Sequence, residues 1–357
     1  MADLIIDTGK IISNIEKTHR LMKEHGMEWS LVVKALAGSK DALRKVLSAD
    51  VIKDINSIGD SRITNLKTIK EIDPDITTAY IKPPSLNELD DVVRYADISY
   101  NTTLRTMENI NEEAKRQGKI HKTIIMIELG ELREGILGKD LVDLYTRAFN
   151  LSNVKIMGIG TNLGCMYGVE PSYDKLVQLS LYKELLEQRF DTKIDLISGG
   201  TSITLPLLGP EVDNLINHFR IGEAIFLGTS PYDNKQFLDF HTDSFEFSTD
   251  IIEFWEKPNR PVGTISDGNV GHISTKETLS DTNYKAIVDF GIVDVDEHLL
   301  VPKDPDVEFV GTTSDMTVYR FTKNETEYQV GDTIRFKPDY MAVAKLMSSQ
   351  YVKKVFK

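Results

Sequence analysis

Cysteine is almost missing from this chain. Cys165 is the single one in 357 residues, which excludes an internal disulfide and suits a reducing compartment. Positive charge is also short: 42 Lys and Arg stand against 55 Asp and Glu, a formal net charge of -13. Nucleic acid and anionic membranes both reward basic surfaces, so neither is an expected partner. The plain reading of the acidity is solubility; the sharper one is a preference for a cationic small molecule. No apolar run approaches the roughly 20 residues that span a bilayer. The opening "MADLIIDTGK" lacks the basic stretch and long apolar segment of a signal peptide. A cytoplasmic protein is expected. Fixed-period repeats and low-complexity segments are absent too.

What is present is ordinary for a globular protein: 41% hydrophobic and 27% charged residues. The length suggests about two domains, although α/β barrels of about 250 residues are common single units. Short β-rich runs at 4–7, 31–34, 55–58, 78–81, 97–100, 123–128, 155–160, 194–197 and 219–227 alternate with amphipathic helical stretches. One helix is expected over 11–24, with Ile11, Ile12, Ile15, Leu21 and Met22 apolar. Another is expected over 173–188, with Leu176, Val177, Leu179, Leu181, Leu185 and Leu186. Such alternation implies parallel strands. With the first strand set aside, about eight units remain, which predicts a closed (β/α)₈ barrel over 8–232. An open doubly wound sheet is the second choice. After residue 232 the chain reads as strands joined by polar and Gly/Pro turns, with little helix before 340–351. This predicts an all-β C-terminal domain over 233–357, which the first strand, 1–7, can join.

Lys34 is the first chemical signal. It closes the apolar run Leu31-Val32-Val33, with Ala35, Leu36 and Ala37 following and Gly38-Ser39 breaking the pattern. A lone lysine usually packs its stem at a strand end and sends its ammonium to water. At the C-terminal mouth of a barrel it would instead be an amine at the catalytic end, where desolvation favours the neutral nucleophile. "ISGGTS" (197–202) ends a strand with two glycines and two hydroxyls, so Thr201, Ser202 and the amides around Gly200 can hold a phosphate; a plain turn is the simpler account. "FRIGEAIFLG" (219–228) sets Arg220 in an apolar run, with Gly222 allowing close backbone approach. "MIELGELREGILG" (126–138) ends a strand in a turn whose Arg133 can clamp a carboxylate in bidentate fashion or pair with Glu131 or Glu134. "GIGTNLGCMYG" (158–168) ends another with Thr161 and Asn162. Each signal is weak alone.

Together, "VVKALAG", "GDSRITNLK", "YADISYNT", "GKIHKTIIMIELGELREGI", "GIGTNLGCMYGVEPS", "ISGGTSITLPLL", "FRIGEAIFLG" and "GTTSDM" resemble the PLP-dependent alanine racemase family, and within it the ornithine racemases. The resemblance runs from near the N-terminus to "DYMAVAKLMSSQYVKK". It implies pyridoxal 5'-phosphate as cofactor, an amino acid as substrate, and a homodimer in which the β domain closes the partner's site. It implies that Lys34 bonds covalently to PLP and also moves the substrate proton. Arg133 matches an arginine near the substrate carboxylate or the cofactor oxygen. Asn162 falls where alanine racemases place a histidine against the pyridine ring. Ser202, with the amides of Gly222 and Glu223, matches the phosphate cradle. Arg220 matches the arginine facing the pyridine nitrogen.

Two departures stand out. Alanine racemases carry a tyrosine four residues after the lysine, where this chain has Gly38. They also carry a catalytic tyrosine in a "GYADG"-type strand; the matching "GTISDGNVG" has Ile265 there. The second base is therefore sought nearby: Asp267 first, then His272, Tyr340 and Asp315. The second departure argues against alanine as substrate, and the resemblance to the ornithine racemases implies a basic amino acid such as ornithine. A PLP-dependent decarboxylase is the second enzyme reading, but Arg220 opposes it, since decarboxylases of this fold usually place an acid there. A PLP-binding homeostasis protein would be a single barrel without the β domain. A metal-dependent aldolase would want a ligand cluster near the C-terminus, and His241, His272 and His298 have no ligand-like spacing.

Overall fold

The computed structural model describes residues 2–266, 268, 271–276, 280–323 and 328–357. Two compact units result: 11–242, and 1–10 together with 243–357.

In the larger unit eight parallel strands close on themselves: β2 (Glu28–Val32), β3 (Ser57–Asp60), β4 (Thr78–Tyr80), β5 (Ile98–Asn101), β6 (His121–Met126), β7 (Val154–Gly160), β8 (Leu196–Thr201) and β9 (His218–Ile221), with β9 pairing back to β2. Each is followed by a helix: α2 (Lys40–Leu47), α3 (Ile63–Ile72), α4 (Leu89–Tyr95), α5 (Leu104–Arg116), α6 (Leu141–Ala148), α7 (Tyr173–Phe190), α8 (Pro210–Asp213) and α9 (Glu223–Leu227). The expected (β/α)₈ barrel is therefore present. Its helices start where side-chain oxygens can take the free amides: Ser39 accepts from the Ala42 N–H, and Thr103 from the Thr106 N–H. One apolar layer of the barrel joins Ala79, Ile98, Tyr100, Ile124, Met126 and Leu196.

Two strand expectations need correction. The run 31–34 does not carry strand to Lys34: β2 ends at Val32, and Lys34 opens a 3₁₀ turn over Lys34–Leu36. The run 219–227 is two elements, because β9 stops at Ile221 and α9 begins at Glu223. A short buried helix is apolar on every side, so periodicity cannot separate it from a buried strand. Gly222 makes the break possible, since a Cβ there would lie 2.7 Å from the Val32 carbonyl oxygen.

Other barrel positions are polar, and they are paired. His218 shares hydrogen bonds with Ser30 Oγ (3.0 Å) and Ser198 Oγ (2.8 Å), and Ser30 shares one with Ser57 (2.7 Å). His121 shares one with Ser99 Oγ (2.8 Å). Burial, with Arg220 adding to it, pushes His218 down to about 3, and burial pushes His121 down to about 4. Both rings are neutral in the folded chain. The unfolded chain takes up protons below the ordinary value near 6.5, and the folded one does not. Stability from these two groups is thus complete above that pH and drains as pH falls towards 4 and 3, by about 2 kcal/mol each at pH 5. Denaturant midpoints from pH 7 to 5 should show it, and His218→Gln should flatten the slope. An unchanged slope would refute the assignment to His218.

Among the described residues the smaller unit forms a nine-stranded sheet: β1 (Ala2–Ile6), β10 (Phe245–Pro258), β11 (His272–Ile273), β12 (Thr282–Val288), β13 (Leu300–Pro302), β14 (Val307–Thr312), β15 (Thr317–Phe321), β16 (Thr333–Pro338) and β17 (Lys353–Phe356). Its pairs are antiparallel except β1 with β17. The N-terminal strand lies between β10 and β17. Phe247, Phe290, Tyr319 and Phe336 form its aromatic core, with Phe247 edge-on to Phe290 at 5.1 Å. Among the described residues, a 3₁₀ turn (Glu297–Leu299) and the α-helix α10 (Tyr340–Ser348) interrupt the strands, the latter capped by Asp339 on the Ala342 N–H. The helix α1 (Thr8–Glu24) carries the chain from this unit into the barrel. Among the described residues, no helix is long and apolar enough to cross a membrane.

Candidate active site

Barrels of this type do their chemistry where the strands end at the C-terminal rim. At that rim stand Lys34, in the turn after β2; Asp60, the last residue of β3; Asn101, the last of β5; Thr161 and Asn162 after β7; Thr201 and Ser202 at the end of β8; and Gly222 and Glu223 after β9. Arg133 lies in the loop between β6 and α6. The topology therefore brings Lys34, Arg133, Asn162, Thr201, Ser202, Gly222 and Glu223 to one end of one barrel, with Gly200 and Arg220 on the strands that lead there. Asp267 lies outside the described residues. Ile265 is exposed, His272 is on β11, Asp315 is in the turn between β14 and β15, and Tyr340 opens α10, all in the β unit.

The Lys34 side chain is exposed, so the expected desolvation of its amine is not a property of this chain by itself. The backbone around it is tightly specified instead. Lys34–Leu36 is one 3₁₀ turn, the Ala37 N–H returns to the Lys34 carbonyl (3.1 Å), and Ala37 and Gly38 both have positive φ (49° and 72°). A Cβ on Gly38 would lie 2.3 Å from Asn65 Oδ1. Asn65 cannot retreat freely, because its amide donates to both oxygens of Asp60 at 3.1 Å. This accounts for the missing tyrosine: the space belongs to Asn65. Gly38→Ala should cost roughly 1–3 kcal/mol from left-handed strain alone, checked by thermal unfolding. An unaffected midpoint would disprove the crowding.

Arg220 is buried inside the barrel. Its Nη1 donates to the Ser198 carbonyl (2.7 Å) and Oγ, its Nη2 donates to the Thr161 carbonyl (2.6 Å), and it lies over the Tyr100 ring at 5.6 Å. Burial lowers its pKa, and neighbouring Tyr100 and Glu134 oppose that. The guanidinium is thereby locked to two strands before any ligand arrives. Ser202 is also engaged: its Oγ accepts from the Gly222 N–H (3.2 Å) and the Ala224 N–H (3.3 Å). That ties β8 to the start of α9 and sets the 222–224 amides beside a hydroxyl, the donor set a phosphate uses. Thr201 and Thr204 cap each other reciprocally. Gly200 has a packing reason of its own, as a Cβ would lie 2.2 Å from the Phe219 ring.

The loop after β6 holds two surprises. Arg133 spends one edge of its guanidinium on Glu134, through Nε and Nη2, and its Nη1 donates to Cys165 Sγ. Of the three partners that the sequence allowed, the adjacent Glu134 is the one in place. Among the described residues Glu131 forms no ion pair with Arg133. It is 1% exposed, and its carboxylate accepts four backbone N–H groups: Gly164 (3.1 Å), Cys165 (3.0 Å), Tyr167 (2.8 Å) and Val169 (3.0 Å). Burial pushes its pKa up, but these amides outweigh that and hold it below the ordinary carboxylate range. Glu131 thus binds the Arg133 loop to the loop following Asn162.

Two buried polar atoms at the rim, Thr161 Oγ1 and Asn162 Nδ2, have no hydrogen-bond partner among the described residues. Buried polar groups are normally paired, so they point to something bound there. Asp60, Glu131 and Tyr100 were not recognised from the sequence. The first two sit in motifs that carried the resemblance, "GDSRITNLK" and "ELGELREGI", but only burial and bonding distinguish them from surface acids.

A sequence model described as "Alanine racemase, N-terminal domain" matches residues 6–231, more than half of the chain. The chain belongs to the alanine racemase family. It is an enzyme of the racemase class, an isomerase. Ornithine racemase of Acetoanaerobium sticklandii is 33% identical over 355 residues, covering 98% of both chains. Lysine racemase of Thermotoga maritima is 31% identical over 362 residues, covering 99% of this chain and 98% of that one. Among solved structures, alanine racemase from Bartonella henselae with covalently bound pyridoxal phosphate superposes with a TM-score of 0.75 at 16% identity, covering 100% of this chain and 99% of that one. D-threonine aldolase from Filomicrobium marinum gives 0.72 at 12% identity, covering 97% and 88%. At such identities the likeness is one of fold, and it joins family members to an aldolase.

Proposed function

We propose that this racemase uses pyridoxal 5'-phosphate to interconvert the L- and D-forms of a basic amino acid, with ornithine the first choice. The observation that carries the reading is the set of residues at one rim: Lys34, Ser202 with the amides beside it, and Arg220. These are the types that the cofactor's aldehyde, phosphate and pyridine nitrogen require. Asn162 Nδ2 and Thr161 Oγ1, unpartnered among the described residues, fit a bound polar ring as well. Substrate preference is supported by the relatives, an ornithine and a lysine racemase matched over nearly their full length, with the charge of -13 as minor support.

Bound there, the cofactor would acidify the substrate's α-carbon by drawing off its electrons. The protein's part is to place groups and move protons. Ser202, Thr201, Gly200 and the 222–223 amides would hold the phosphate. Arg220, fixed by carbonyls and cationic, would meet the pyridine nitrogen as a donor and leave it without a proton, which weakens electron withdrawal and disfavours decarboxylation. Arg133 keeps one N–H on each terminal nitrogen beyond its bonds to Glu134 and Cys165, enough for a substrate carboxylate or a cofactor oxygen. Lys34 Nζ would take and return the α-proton on one face. The opposite face needs a second base, with Asp267 ahead of His272, Tyr340 and Asp315. The active unit would be a homodimer in the cytoplasm.

The test is a chiral assay of purified protein with PLP against a panel of L-amino acids. Racemisation of ornithine or lysine well ahead of alanine and serine is the expected result, and the reverse order defeats the substrate reading. Borohydride should fix the cofactor on a peptide containing Lys34, and fixation on another lysine would defeat the site reading. Asp267→Asn should lose α-proton exchange from one enantiomer only; equal loss from both, or none, moves the search to the other three.

A further inference from the structure

Asp60 has no role in the proposed chemistry, yet it is a carboxylate with no exposure to solvent at the rim where that chemistry would occur. Charged groups are rarely buried unless something holds them. Its bonds come from the Arg62 N–H (2.8 Å) and the Asn65 amide, both neutral donors. Asn65 in turn lies against Gly38, in the turn that begins at Lys34. The strands carry the same message. Val32 is in register with Gly59, and the Val33 N–H donates to the Gly59 carbonyl (2.9 Å), so Asp60 and the Lys34 turn leave neighbouring strands side by side.

We propose that Asp60 is a positioning residue: its buried carboxylate, linked through Asn65 to the Lys34 turn, supplies the negative charge that orients the Lys34 amine towards the site. This rests on reading Lys34 as the site amine. The charged and titratable groups around Asp60 are Lys34 from the turn after β2, Arg62 on its own loop and Tyr80 at the end of β4, with Glu88 behind the Tyr80 hydroxyl (3.4 Å). Burial raises Asp60 to about 6, while the Arg62 and Ser61 amides, Asn65 and Lys34 act to lower it. The sign follows. An acid whose pKa is raised on folding removes stability as pH climbs from its unfolded value near 4 to about 6, and the loss persists above. A buried acid that weakens the fold at neutral pH suits a functional duty better than a structural one.

The first measurement uses cofactor-free protein. The Asp60 carboxyl is titrated by carbon-13 NMR in the parent and in Lys34→Met. Removing the ammonium should shift the Asp60 midpoint upward, and an unmoved midpoint would overturn the proposal. The second uses Asp60→Asn. Relative to the parent, its unfolding midpoint should rise from pH 4 to about 6 and hold above that, while kcat with PLP falls at least tenfold and KM changes less. Parental kcat, or a variant that loses stability as pH rises, would overturn it. If Asp60→Asn does not fold, the titration in Lys34→Met decides alone. Borohydride fixation tests the Lys34 reading by itself, so the two ideas fail separately.

Discussion

Lys34→Ala folds like the parent and racemises between about 10² and 10⁴ times more slowly from loss of the proton carrier alone, with loss of the covalent anchor for PLP adding to this. Two features make the prediction sharp. The Lys34 side chain is exposed, so removing it leaves no cavity, and surface changes of this kind usually stay within about 0.5 kcal/mol of neutral. Its backbone turn is set by Ala37, Gly38 and Asn65 and not by the lysine side chain. Stability and activity should therefore separate cleanly. Unfolding midpoints, the visible absorbance of the PLP-treated protein and a chiral assay are enough to check this. A Lys34→Ala protein that stays yellow after gel filtration and racemises at the parental rate would remove Lys34 from the site.

Glu131→Gln is expected to damage both fold and activity, without touching any group proposed to meet the substrate. Each carboxylate oxygen of Glu131 takes two amides, Cys165 and Tyr167 on one, Gly164 and Val169 on the other. An amide side chain keeps one acceptor oxygen and turns an N–H₂ towards the other two donors. Two backbone N–H groups then lose their acceptor, at about 1–3 kcal/mol each. The loop after Asn162 loosens from the loop bearing Arg133, and a displacement of about 1 Å in positioned groups can reduce rate about 10²-fold. Cys165 reports on this directly, being exposed and bonded to Arg133: its modification by a thiol reagent should accelerate. Unchanged thiol reactivity together with full activity would show that the four bonds do not organise the site.

Much of the architecture was legible beforehand because it rests on local rules. Strand-helix alternation, the change of pattern beyond the barrel and the apolar stripes of the helices over 8–24 and 173–190 all follow from periodicity and turn chemistry. The boundary failures share one cause. Apart from Lys34, Arg220 and Glu223, every residue over 31–38 and 219–227 is apolar or small, so no period marks where strand gives way to turn or helix. The site was half legible for a related reason. Lys34, Asn162, Ser202 and Arg220 are residue types that announce chemistry at strand ends. Arg133, Glu131 and Asp60 are ordinary charged residues whose meaning depends on what they face.

What this sequence determined by itself is its elements, their parallel order and the family to which it belongs, since these depend on residues close together in the chain. Only the tertiary structure decided the allegiances of the charged groups. Arg133 went to its neighbour Glu134, Glu131 to amides more than thirty residues away, Asp60 to Asn65 and the Lys34 turn, and Arg220 to carbonyls on β8 and just after β7. The physical reason is that a charge buried away from water must find its donors or acceptors wherever closure of the barrel brings them, and no short-range pattern in the chain records which ones those are.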